Sequence, residues 1–412
     1  MSPSRRALIV GGSMGGLMAA ALLRRSGWNV TLFERASGNL AERGAGLGIT
    51  VELLRVMRRA EARFDPSIGA LHHSWIWVDE SGAIRFEYRR PTMGSTWSRV
   101  YSALRQAVPS EIYRAGAAVE RVEHNASGVR AILAGGACVE GDLLVAADGI
   151  ASTVRQQLLP GIAPRYASYV AWRGLVAASE LPTESRALID NRIVACFPEG
   201  EMLLAMPAPA ADAATGDGRV YFIWYRPADA ARLAELCTDA EGHRHGMAIP
   251  PPLIRSELVR EIKARAAEIF AAQVAAVVAC CAQPLLQAIT DFEAPQLTFG
   301  RVALIGDAAF VARPHVAAGV TKAALDAESL ADSLAATDDL TTGLAAFAES
   351  QLAFGRRLVA HARYLGAYLE AQTRPDAPAS DRVRDPIKII RDYGAQHLVH
   401  DLTPERLTAL RA

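Results

Sequence analysis

The fold of this chain is decided by residues 305–327, which read IGDAAFVARPHVAAGVTKAALDA. A short apolar run, residues 301–305, has the pattern of a buried strand and leads into Asp307, and Gly319 opens a helix-like segment. An acidic side chain at the end of a strand can accept a hydrogen bond from a ribityl hydroxyl, and the free N–H groups of a helix N-terminus attract negative charge. A chain that holds a flavin needs such a motif in addition to a nucleotide-binding turn, whereas a nicotinamide dehydrogenase does not.

A glycine-rich turn near the N-terminus supplies the nucleotide-binding motif. It reads Val10-Gly-Gly-Ser-Met-Gly-Gly-Leu17 and joins an apolar strand to a helix-forming run. Gly11 and Gly16 occupy the outer positions of a Rossmann turn, where a tight bend and close helix packing require glycine, and Ser13 takes the middle position. Glu34 ends the next strand, where an acid binds ribose hydroxyls and disfavours a 2′-phosphate. Together these features predict binding of FAD or NAD.

The composition is that of an ordinary globular protein without a charge bias. The 412 residues are 51% hydrophobic and 21% charged, with a formal net charge of zero. We therefore expect neither a nucleic-acid partner nor a membrane-binding face. The five cysteines form no CxxC pair, which argues against a disulfide framework or a metal site and fits a reducing cytoplasm. The apolar run at residues 6–10 is too short for a signal peptide.

The order of the predicted elements indicates two interleaved domains. The expected fold class is α/β, with a Rossmann-like FAD-binding domain and a mixed or antiparallel sheet inserted into it. Alternating apolar and polar residues with a turn at Glu80-Ser-Gly82 predict a hairpin between residues 75 and 90. The expected divisions are residues 1–70, 96–165 and 290–372 for the FAD-binding domain, 71–95 and 166–289 for the substrate-binding sheet domain, and 373–412 for a linker and C-terminal helix.

A third motif follows the strand at residues 142–147, where Asp148-Gly149 precedes a helix capped by Ser152. Alone, this motif fits a cofactor contact and a plain strand-to-helix turn equally well. The three motifs occur in the order found in class A flavoprotein aromatic hydroxylases, the group typified by para-hydroxybenzoate hydroxylase, and the chain resembles that group over residues 5–370. Four phrases look most similar to the 2,6-dihydroxypyridine 3-hydroxylase branch, at residues 44–47, 169–174, 224–226 and 284–291.

This resemblance implies a GR2-type FAD-binding domain and roles for individual residues. Glu34 would bind the adenosine ribose with Arg35 beside the adenine, Asp148 would serve both FAD and NAD(P)H, and Asp307 would bind the ribityl chain. Trp97 departs from the family pattern, since many relatives have arginine or glutamine there, and Thr321 stands where asparagine is frequent. The full set of expected FAD contacts is Gly11, Ser13, Met14, Gly16, Glu34, Arg35, Ala45, Gly46, Leu47, Trp97, Asp148, Asp307, Gly319, Val320 and Thr321.

The resemblance also implies a reaction. NAD(P)H would reduce the flavin, O2 would add at its C4a carbon, and the distal oxygen of the C4a-hydroperoxyflavin would attack a small hydroxylated aromatic or N-heteroaromatic ring, such as a dihydroxypyridine. Pro314 and His315 lie in the loop expected beside the reactive flavin edge. We expect His315 either to act as a base or substrate-orienting group, or to be a rim histidine bonded to a backbone carbonyl.

Substrate contacts are expected from the antiparallel sheet. Tyr225 is the preferred catalytic contact, since a phenol can donate or accept a hydrogen bond to a ring hydroxyl. For each candidate the alternative is a plain residue of the sheet core, and His72 and His73 are expected to be structural. The candidates are Arg173, Cys196, Met206, Tyr221 and Tyr225.

Three other functions are compatible with these motifs. The first is an FAD-dependent oxidase or reductase that inserts no oxygen; the halogenase variant is disfavoured because Trp75-Ile-Trp77 continues as Val78-Asp79 and not as the halogenase motif. The second is a nicotinamide dehydrogenase without flavin, and the third is a non-catalytic FAD-binding protein. A homodimer is expected on the resemblance.

Overall fold

The computed structural model describes residues 5–38, 40, 46–210, 218–395 and 398–400 and places them in four β-sheets with helices around them. Ala45, one of the expected FAD contacts, lies outside the described residues. The α-helices are α1 (Met14–Arg25), α2 (Val51–Arg59), α3 (Trp97–Ala107), α4 (Thr153–Leu158), α5 (Thr183–Ile189), α6 (Ala230–Leu236), α7 (Ser256–Ile269), α8 (Ala272–Cys280), α9 (Gly319–Ala335), α10 (Leu340–Ala371), α11 (Ala379–Arg382) and α12 (Pro386–Asp392).

A six-stranded sheet carries the nucleotide-binding motifs. Its strands are nearly continuous apolar runs, because helices such as α1 and a second layer cover both faces of a parallel sheet. All of its pairings are parallel except the one at the β18 edge. In the order β18-β19-β12-β1-β2-β8, the strands are β18 (Thr298–Phe299), β19 (Val302–Leu304), β12 (Leu143–Ala146), β1 (Arg6–Val10), β2 (Asn29–Glu34) and β8 (Tyr113–Ala115).

An eight-stranded, mainly antiparallel sheet forms the second large layer. Successive side chains of a strand point to opposite faces. Trp172, Phe222 and Trp224 therefore join a core with helices α7 and α8, while Tyr169 and Tyr225 face the other way. In the order β20-β17-β13-β16-β15-β14-β5-β6, the strands are β20 (Phe310–Val311), β17 (Leu285–Glu293), β13 (Arg165–Ala177), β16 (Arg219–Pro227), β15 (Met202–Ala208), β14 (Arg192–Cys196), β5 (Ser74–Val78) and β6 (Ile84–Tyr88).

Two three-stranded sheets complete the described fold. In the first, β7 (Thr92–Thr96) pairs antiparallel with both β3 (Gly46–Ile49) and β4 (Ala70–His72), and this small sheet contacts β15 of the large one. The second is a meander of β9 (Val119–His124), β10 (Val129–Leu133) and β11 (Cys138–Gly141).

The α/β fold class with a Rossmann-like domain is confirmed, and so is the hairpin, which consists of β5 and β6. The division into domains stays a prediction. The expected boundary at 289/290 falls inside β17, one uninterrupted strand, and those at 70/71 and 95/96 fall inside β4 and β7. The small sheet therefore bridges the two expected domains rather than belonging to one of them.

The sequence analysis assigned no element to the longest helix, α10. Its 32 residues contact α9 of the nucleotide-binding part and also strands β13, β16 and β17 of the large sheet. At 1.5 Å per residue it is about 48 Å long, enough to hold both sheets together. Within the described residues, no helix is long and apolar enough to cross a membrane.

Candidate active site

The expected FAD contacts follow the carboxyl ends of four adjacent parallel strands. Gly11 comes directly after β1, Glu34 ends β2, Asp148 follows β12 and Asp307 follows β19. These four strands are neighbours in the order β19-β12-β1-β2, so their ends meet at one edge of the sheet. Ligands of open α/β sheets bind outside the carboxyl ends of the strands.

The turn after β1 requires glycine at both outer positions. Gly11 has φ +107°, and a Cβ atom there would lie 2.3 Å from the carbonyl oxygen of Ala147. A Cβ atom at Gly16 would lie 1.8 Å from the carbonyl oxygen of Gly11. Ser13 precedes α1, but its hydroxyl does not cap the helix, and Met14 is buried so that only its backbone can face a ligand. The N-terminus of α1 is therefore left to an anion such as a pyrophosphate.

A groove runs along this edge of the sheet. The Glu34 carboxylate is held in it by two backbone N–H donors, Gly12 and Ala36, each at 2.8 Å. Arg35 is exposed beside it, and Trp97 is stacked on Tyr101 with ring centroids 4.7 Å apart. The groove is lined by Val10, Gly11, Ser13, Phe33, Glu34, Arg35, Leu40, Trp97, Ala117, Ala118, Val119, Glu120, Ala147, Asp148, Gly149, Ala151 and Thr153.

Asp148 lies in the same groove. Its carboxylate accepts hydrogen bonds from the Ser152 hydroxyl and from the Val154 N–H at 3.2 Å. Burial raises the pKa of Asp148, and these hydrogen bonds oppose that rise. Ser152 also caps α4, so the carboxylate is fixed by the helix that follows it.

The second cofactor motif lies at the end of β19. Asp307 is exposed although its neighbours Gly306 and Ala308 are buried. The turn is held from behind, because the Gly306 N–H donates to the Asp326 carboxylate at 2.8 Å and Lys322 pairs with that carboxylate at 3.3 Å. A carboxylate held at the surface by a rigid turn is suited to bind a hydroxylated chain.

The N-terminus of α9 is open. No side chain caps it, and nothing lies within 4 Å of a Cβ atom placed on Gly319. Val320 is half-buried. The Thr321 side chain is fully buried and shares a hydrogen bond with Thr50, with the two Oγ1 atoms 3.0 Å apart, so only its backbone can face a flavin. These features fit the two ends of an FAD molecule. The glycine turn and the acidic residues suit its dinucleotide part, and exposed Asp307 and the free N–H groups of α9 suit its flavin part.

A cavity of about 910 Å³, including its solvent-open part, lies where the small sheet, the large sheet and the loop before α9 meet. Gly46 and Gly48 lie against Tyr221 and Ala317, since a Cβ atom on either glycine would come within 2.6 Å of them. Seven expected site residues line the cavity: Gly46, Leu47, Arg173, Met206, Tyr221, Tyr225 and Pro314.

Cys196 does not line this cavity, and its expected contact with a substrate is wrong. Ile193 and Ala195 of β14 pack in the core on the cavity side of the sheet, whereas Val194 and Cys196 pack on the helix side. The alternation of side chains along a strand therefore turns the Cys196 thiol away.

His315 is also absent from the cavity lining, which corrects its expected role as a base in contact with the substrate. The ring is 1% exposed, its Nε2 and the Tyr169 hydroxyl are 2.8 Å apart and share a hydrogen bond, and it lies behind Tyr225 with centroids 4.4 Å apart. Burial, together with the charges of Arg313, Arg384 and Arg173, lowers the pKa of His315 well below 6.5. The alternative of a rim histidine bonded to a carbonyl does not hold either, because the partner is a tyrosine hydroxyl.

Tyr225 does face the cavity. Its hydroxyl and that of Tyr393 are 3.3 Å apart and share a hydrogen bond, and both rings are buried. Burial raises the pKa of Tyr225 well above 10, and the neighbouring Tyr393 raises it further, so the phenol stays protonated. It can therefore donate a hydrogen bond to a ring oxygen.

The wall that includes Tyr393 was missed by the sequence analysis. Residues Tyr393, Gly394, Ala395 and Val399 line the cavity after α12. Gly394 is held on both sides, since its N–H donates to the His315 carbonyl at 2.9 Å and its carbonyl lies 2.8 Å from His361 Nε2. The sequence analysis expected a linker and a C-terminal helix in residues 373–412 and gave them no part in the cavity. Arg90 and His72 are among the further lining residues that were not expected there.

Acidification is expected to destabilise the fold through two buried histidines. Burial lowers the pKa of His72 to about 4, against a weaker raising effect of the Pro207 carbonyl, and burial also lowers the pKa of His315 well below 6.5. Because the unfolded chain binds these protons near pH 6.5, stability is greatest above that pH and falls as the pH drops. His72 contributes about 1.4 kcal/mol per pH unit between roughly pH 6.5 and 4, and His315 acts in the same direction.

Urea unfolding at several pH values measures this effect. His72→Gln is expected to flatten the pH dependence by about 1.4 kcal/mol per pH unit. His73→Gln is the matched control, because His73 is exposed. An unchanged slope in His72→Gln would contradict the expectation.

Comparison with known proteins agrees with this geometry. Residues 5–208 match the FAD binding domain family, and residues 166–291 match the FAD binding domain-like family. The chain is 29% identical over 377 residues to 2,6-dihydroxypyridine 3-monooxygenase of Paenarthrobacter nicotinovorans. This match covers 90% of this chain and 93% of that protein. It is 28% identical to the FAD-dependent urate hydroxylase of Klebsiella oxytoca, over 87% of this chain and 88% of that protein.

Solved structures give the same result. The structure of 2,6-dihydroxypyridine-3-hydroxylase from Arthrobacter nicotinovorans superposes with a TM-score of 0.85 at 27% identity, covering 92% of this chain and 96% of that one. The chain belongs to the class A flavoprotein aromatic hydroxylases, and it is a flavin-dependent monooxygenase of that class. Within the class it is similar over nearly its whole length to the 2,6-dihydroxypyridine 3-monooxygenases. The expected family and FAD as its cofactor are thereby confirmed.

Proposed function

We propose that this protein uses NAD(P)H and O2 to hydroxylate a small hydroxylated aromatic or N-heteroaromatic ring, such as a dihydroxypyridine. One observation carries the proposal. The same cavity is lined by two expected FAD contacts, Gly46 and Leu47, by Pro314 of the loop expected beside the reactive flavin edge, and by sheet residues expected at the substrate, Met206 and Tyr225. A ring bound there lies between the two sets.

FAD, when bound, supplies the redox chemistry that activates O2, with NAD(P)H as the source of electrons. The residues of this chain have the remaining tasks. The open N-terminus of α9 offers N–H groups to negative charge that develops on the cofactor, an interaction typically worth about 0.3–2 kcal/mol. The backbone of Ala317, with φ +50°, turns the chain sharply from the cavity loop into this helix.

Two features of the cavity favour hydroxylation of the bound ring over the competing reaction, in which the activated oxygen is lost to water. The lining is largely apolar, and residues Tyr393, Gly394, Ala395 and Val399 form a wall of it next to Tyr225. Exclusion of water protects a reactive oxygen species. The protonated Tyr225 phenol donates a hydrogen bond to a ring oxygen and so orients the ring.

A turnover screen tests the proposal. Purified FAD-loaded protein is mixed with hydroxylated pyridines, urate and hydroxybenzoates, and NAD(P)H oxidation and O2 consumption are followed together. With at least one ring we expect stimulated NAD(P)H oxidation and a product that carries one oxygen atom from isotopically labelled O2. If every ring that stimulates oxidation is recovered without added oxygen, the protein is an FAD-dependent oxidase or reductase and the hydroxylase proposal fails.

A further inference from the structure

His315 is buried where four parts of the fold meet, namely β13, β16, α10 and the wall after α12. It directly follows Pro314, which lines the cavity, and α9 begins four residues later at Gly319. The loop that carries it therefore runs between the cavity and the open N-terminus of α9. A polar side chain buried in such a place needs a hydrogen-bond partner, because burial without one costs free energy.

Tyr169 of β13 is a hydrogen-bond partner of the imidazole, with its hydroxyl 2.8 Å from Nε2. Burial lowers the pKa of His315 and raises that of Tyr169, so that neither group carries a charge near neutral pH. Helix α10 leaves space for the pair at Gly366, where a Cβ atom would lie 2.3 Å from the Tyr169 hydroxyl and 3.0 Å from Nε2. The bond is therefore enclosed on all sides and stays in one protonation state.

His315 in turn supports residues that line the cavity. Its ring packs against that of Tyr225, with centroids 4.4 Å apart and planes tilted by 39°, and it meets the Tyr393 ring edge-on at 5.9 Å. Its backbone carbonyl accepts a hydrogen bond from the Gly394 N–H at 2.9 Å. Tyr225, Tyr393 and Gly394 all line the cavity, whereas His315 does not. A displacement of the imidazole would therefore move the lining on two sides.

Tyr169 is backed by the buried ion-pair cluster on β17 and α10. The guanidinium of Arg313 lies 5.7 Å from the centroid of the Tyr169 ring. Arg313 is held by Asp291 at 2.8 Å and by Glu370 at 2.6 Å. This cluster gives the tyrosine a fixed position, and the hydrogen bond to Nε2 passes that position on to the imidazole.

From this geometry we infer that His315 is a positioning residue: held by Tyr169, it keeps Tyr225 and the wall after α12 in the arrangement that binds a ring. The inference rests on the proposed function for the kind of ring that is bound. His315 lines neither the cavity nor the FAD groove, so it acts only through its neighbours. A protein whose binding arrangement is only partly populated binds its ligand more weakly in proportion. Loss of the bond should therefore weaken ring binding and leave FAD binding intact.

Amide hydrogen exchange tests the inference without any ring ligand. Tyr169→Phe removes the hydroxyl and keeps the ring. In the FAD-loaded variant we expect the peptide that contains Gly394 to exchange about fivefold faster or more than in the wild type, because the His315 carbonyl no longer holds that amide in one place. The peptide that contains the glycine turn at residues 11–16 is expected to exchange at the wild-type rate.

Dissociation constants give the second measurement. FAD affinity is obtained by titration of the stripped protein, and ring affinity from the change in absorption of bound FAD, with 2,6-dihydroxypyridine and 4-hydroxybenzoate as probes. For a probe that binds the wild type, we expect Tyr169→Phe to weaken ring binding about fivefold or more and FAD binding less than about twofold. A residue that only stabilises the fold would lower the melting temperature and leave both dissociation constants unchanged.

Tyr166→Phe is the matched control. Tyr166 lies on the same strand and outside the cavity lining, and its hydroxyl donates to the Ala228 carbonyl at 2.8 Å. This variant should keep the wild-type exchange at Gly394 and the wild-type ring affinity. His315→Phe completes a double-mutant cycle. Because the two residues act through one hydrogen bond, the double variant with Tyr169→Phe should bind rings no more weakly than the weaker single variant.

The inference is overturned if Tyr169→Phe exchanges at Gly394 as the wild type does, if its ring and FAD affinities fall together, or if Tyr166→Phe gives the same losses. If His315→Phe does not fold, Tyr169→Phe and its control decide. If neither probe binds the wild type, the exchange measurement decides. Oxygen insertion is measured separately: Tyr169-dependent ring binding without oxygen insertion into any ring rejects the proposed function alone, and hydroxylation that is insensitive to Tyr169→Phe rejects the role of His315 alone.

Discussion

Asp307→Ala is expected to yield a folded protein that loses most of its FAD during purification. The Asp307 residue is exposed and its side chain forms no hydrogen bond or ion pair within the described chain, so its removal gives up only longer-range attraction to Lys322 and Arg155. The turn that carries it keeps its supports, because the Gly306 N–H still donates to Asp326, and the backbone carbonyl of residue 307 still accepts from Arg155 at 3.2 Å. What disappears is the acceptor for the ribityl chain.

Hydrogen bonds to a charged group contribute about 1.5–3 kcal/mol. FAD affinity should therefore fall roughly 10- to 150-fold. The measurement is the ratio of flavin to protein absorbance after purification, followed by titration of the stripped protein with FAD. Asp376→Ala is the matched control, since Asp376 is an exposed residue whose only ion pair within the described residues is with Arg374. Wild-type FAD retention in Asp307→Ala would show that the ribityl chain is held elsewhere.

Asp291→Asn is expected to lower the free energy of unfolding by about 3–5 kcal/mol. The Asp291 side chain is fully buried on β17 and accepts from Arg313 at 2.8 Å and from Arg363 at 2.8 and 3.0 Å. Arg313 is itself fully buried, with Glu370 as its second partner at 2.6 Å. An amide at 291 leaves these cations short of one negative charge inside the protein.

The effect depends on pH in a defined direction. Burial by itself would raise the pKa of Asp291, but hydrogen bonds from Arg363 and the charge of Arg313 lower it below the ordinary value of 3.8. The pair therefore stabilises the fold fully above the unfolded-state pKa, and this contribution is lost as the pH falls through the lowered folded-state pKa. The difference between wild type and Asp291→Asn should accordingly be constant near neutral pH and shrink in strong acid.

Thermal and urea unfolding measure the loss of unfolding free energy. We expect the melting temperature to fall by several degrees. The control is Asp332→Asn, which removes one of the two acidic partners of Arg59 at a site where both side chains are about half exposed; the other partner is Glu328. Such surface pairs contribute about 0–1 kcal/mol. Equal effects of the two substitutions would mean that the buried cluster of Asp291, Arg313 and Arg363 stabilises the fold no more than a surface ion pair does. Because Arg313 directly precedes Pro314, we also expect ring binding in the cavity to suffer more than FAD binding in the groove.

The parts of this site that could be predicted from the sequence are those that depend on residues close together in the chain. The glycine turn, Glu34 and Asp307 were identified because each is a local signal, a strand end next to a turn, and the parallel sheet then brings these ends together. Cys196 was misplaced because the composition of a strand indicates that both of its faces are buried, but it does not show which alternate side chains face the cavity. His315 was misplaced because its ring position follows from packing against Tyr169 and Tyr225, which are distant in the sequence.

The wall after α12 was missed for a related reason. Tyr225 and Tyr393 are separated by 168 positions, and no short-range pattern couples them. Helix α10, which brings that part of the chain back to the large sheet, has small and polar residues interspersed with its apolar ones, and the sequence analysis did not use its N-cap residue, Asp339, as a start signal. Arg173 was found as a candidate, but that its Nε is buried without an acceptor became apparent only when its surroundings were known.

The position of Tyr393, Gly394 and Ala395 in the cavity wall has a consequence for the order of assembly in the cell. A chain made from its N-terminus forms domains as they emerge. The glycine turn, Glu34, Asp148 and Asp307 have all left the ribosome once α9 is complete, whereas the cavity still lacks one wall at that moment. The nascent protein can thus acquire its cofactor groove before it can enclose a ring. Competence to hold the nucleotide precedes competence to select the compound that reacts.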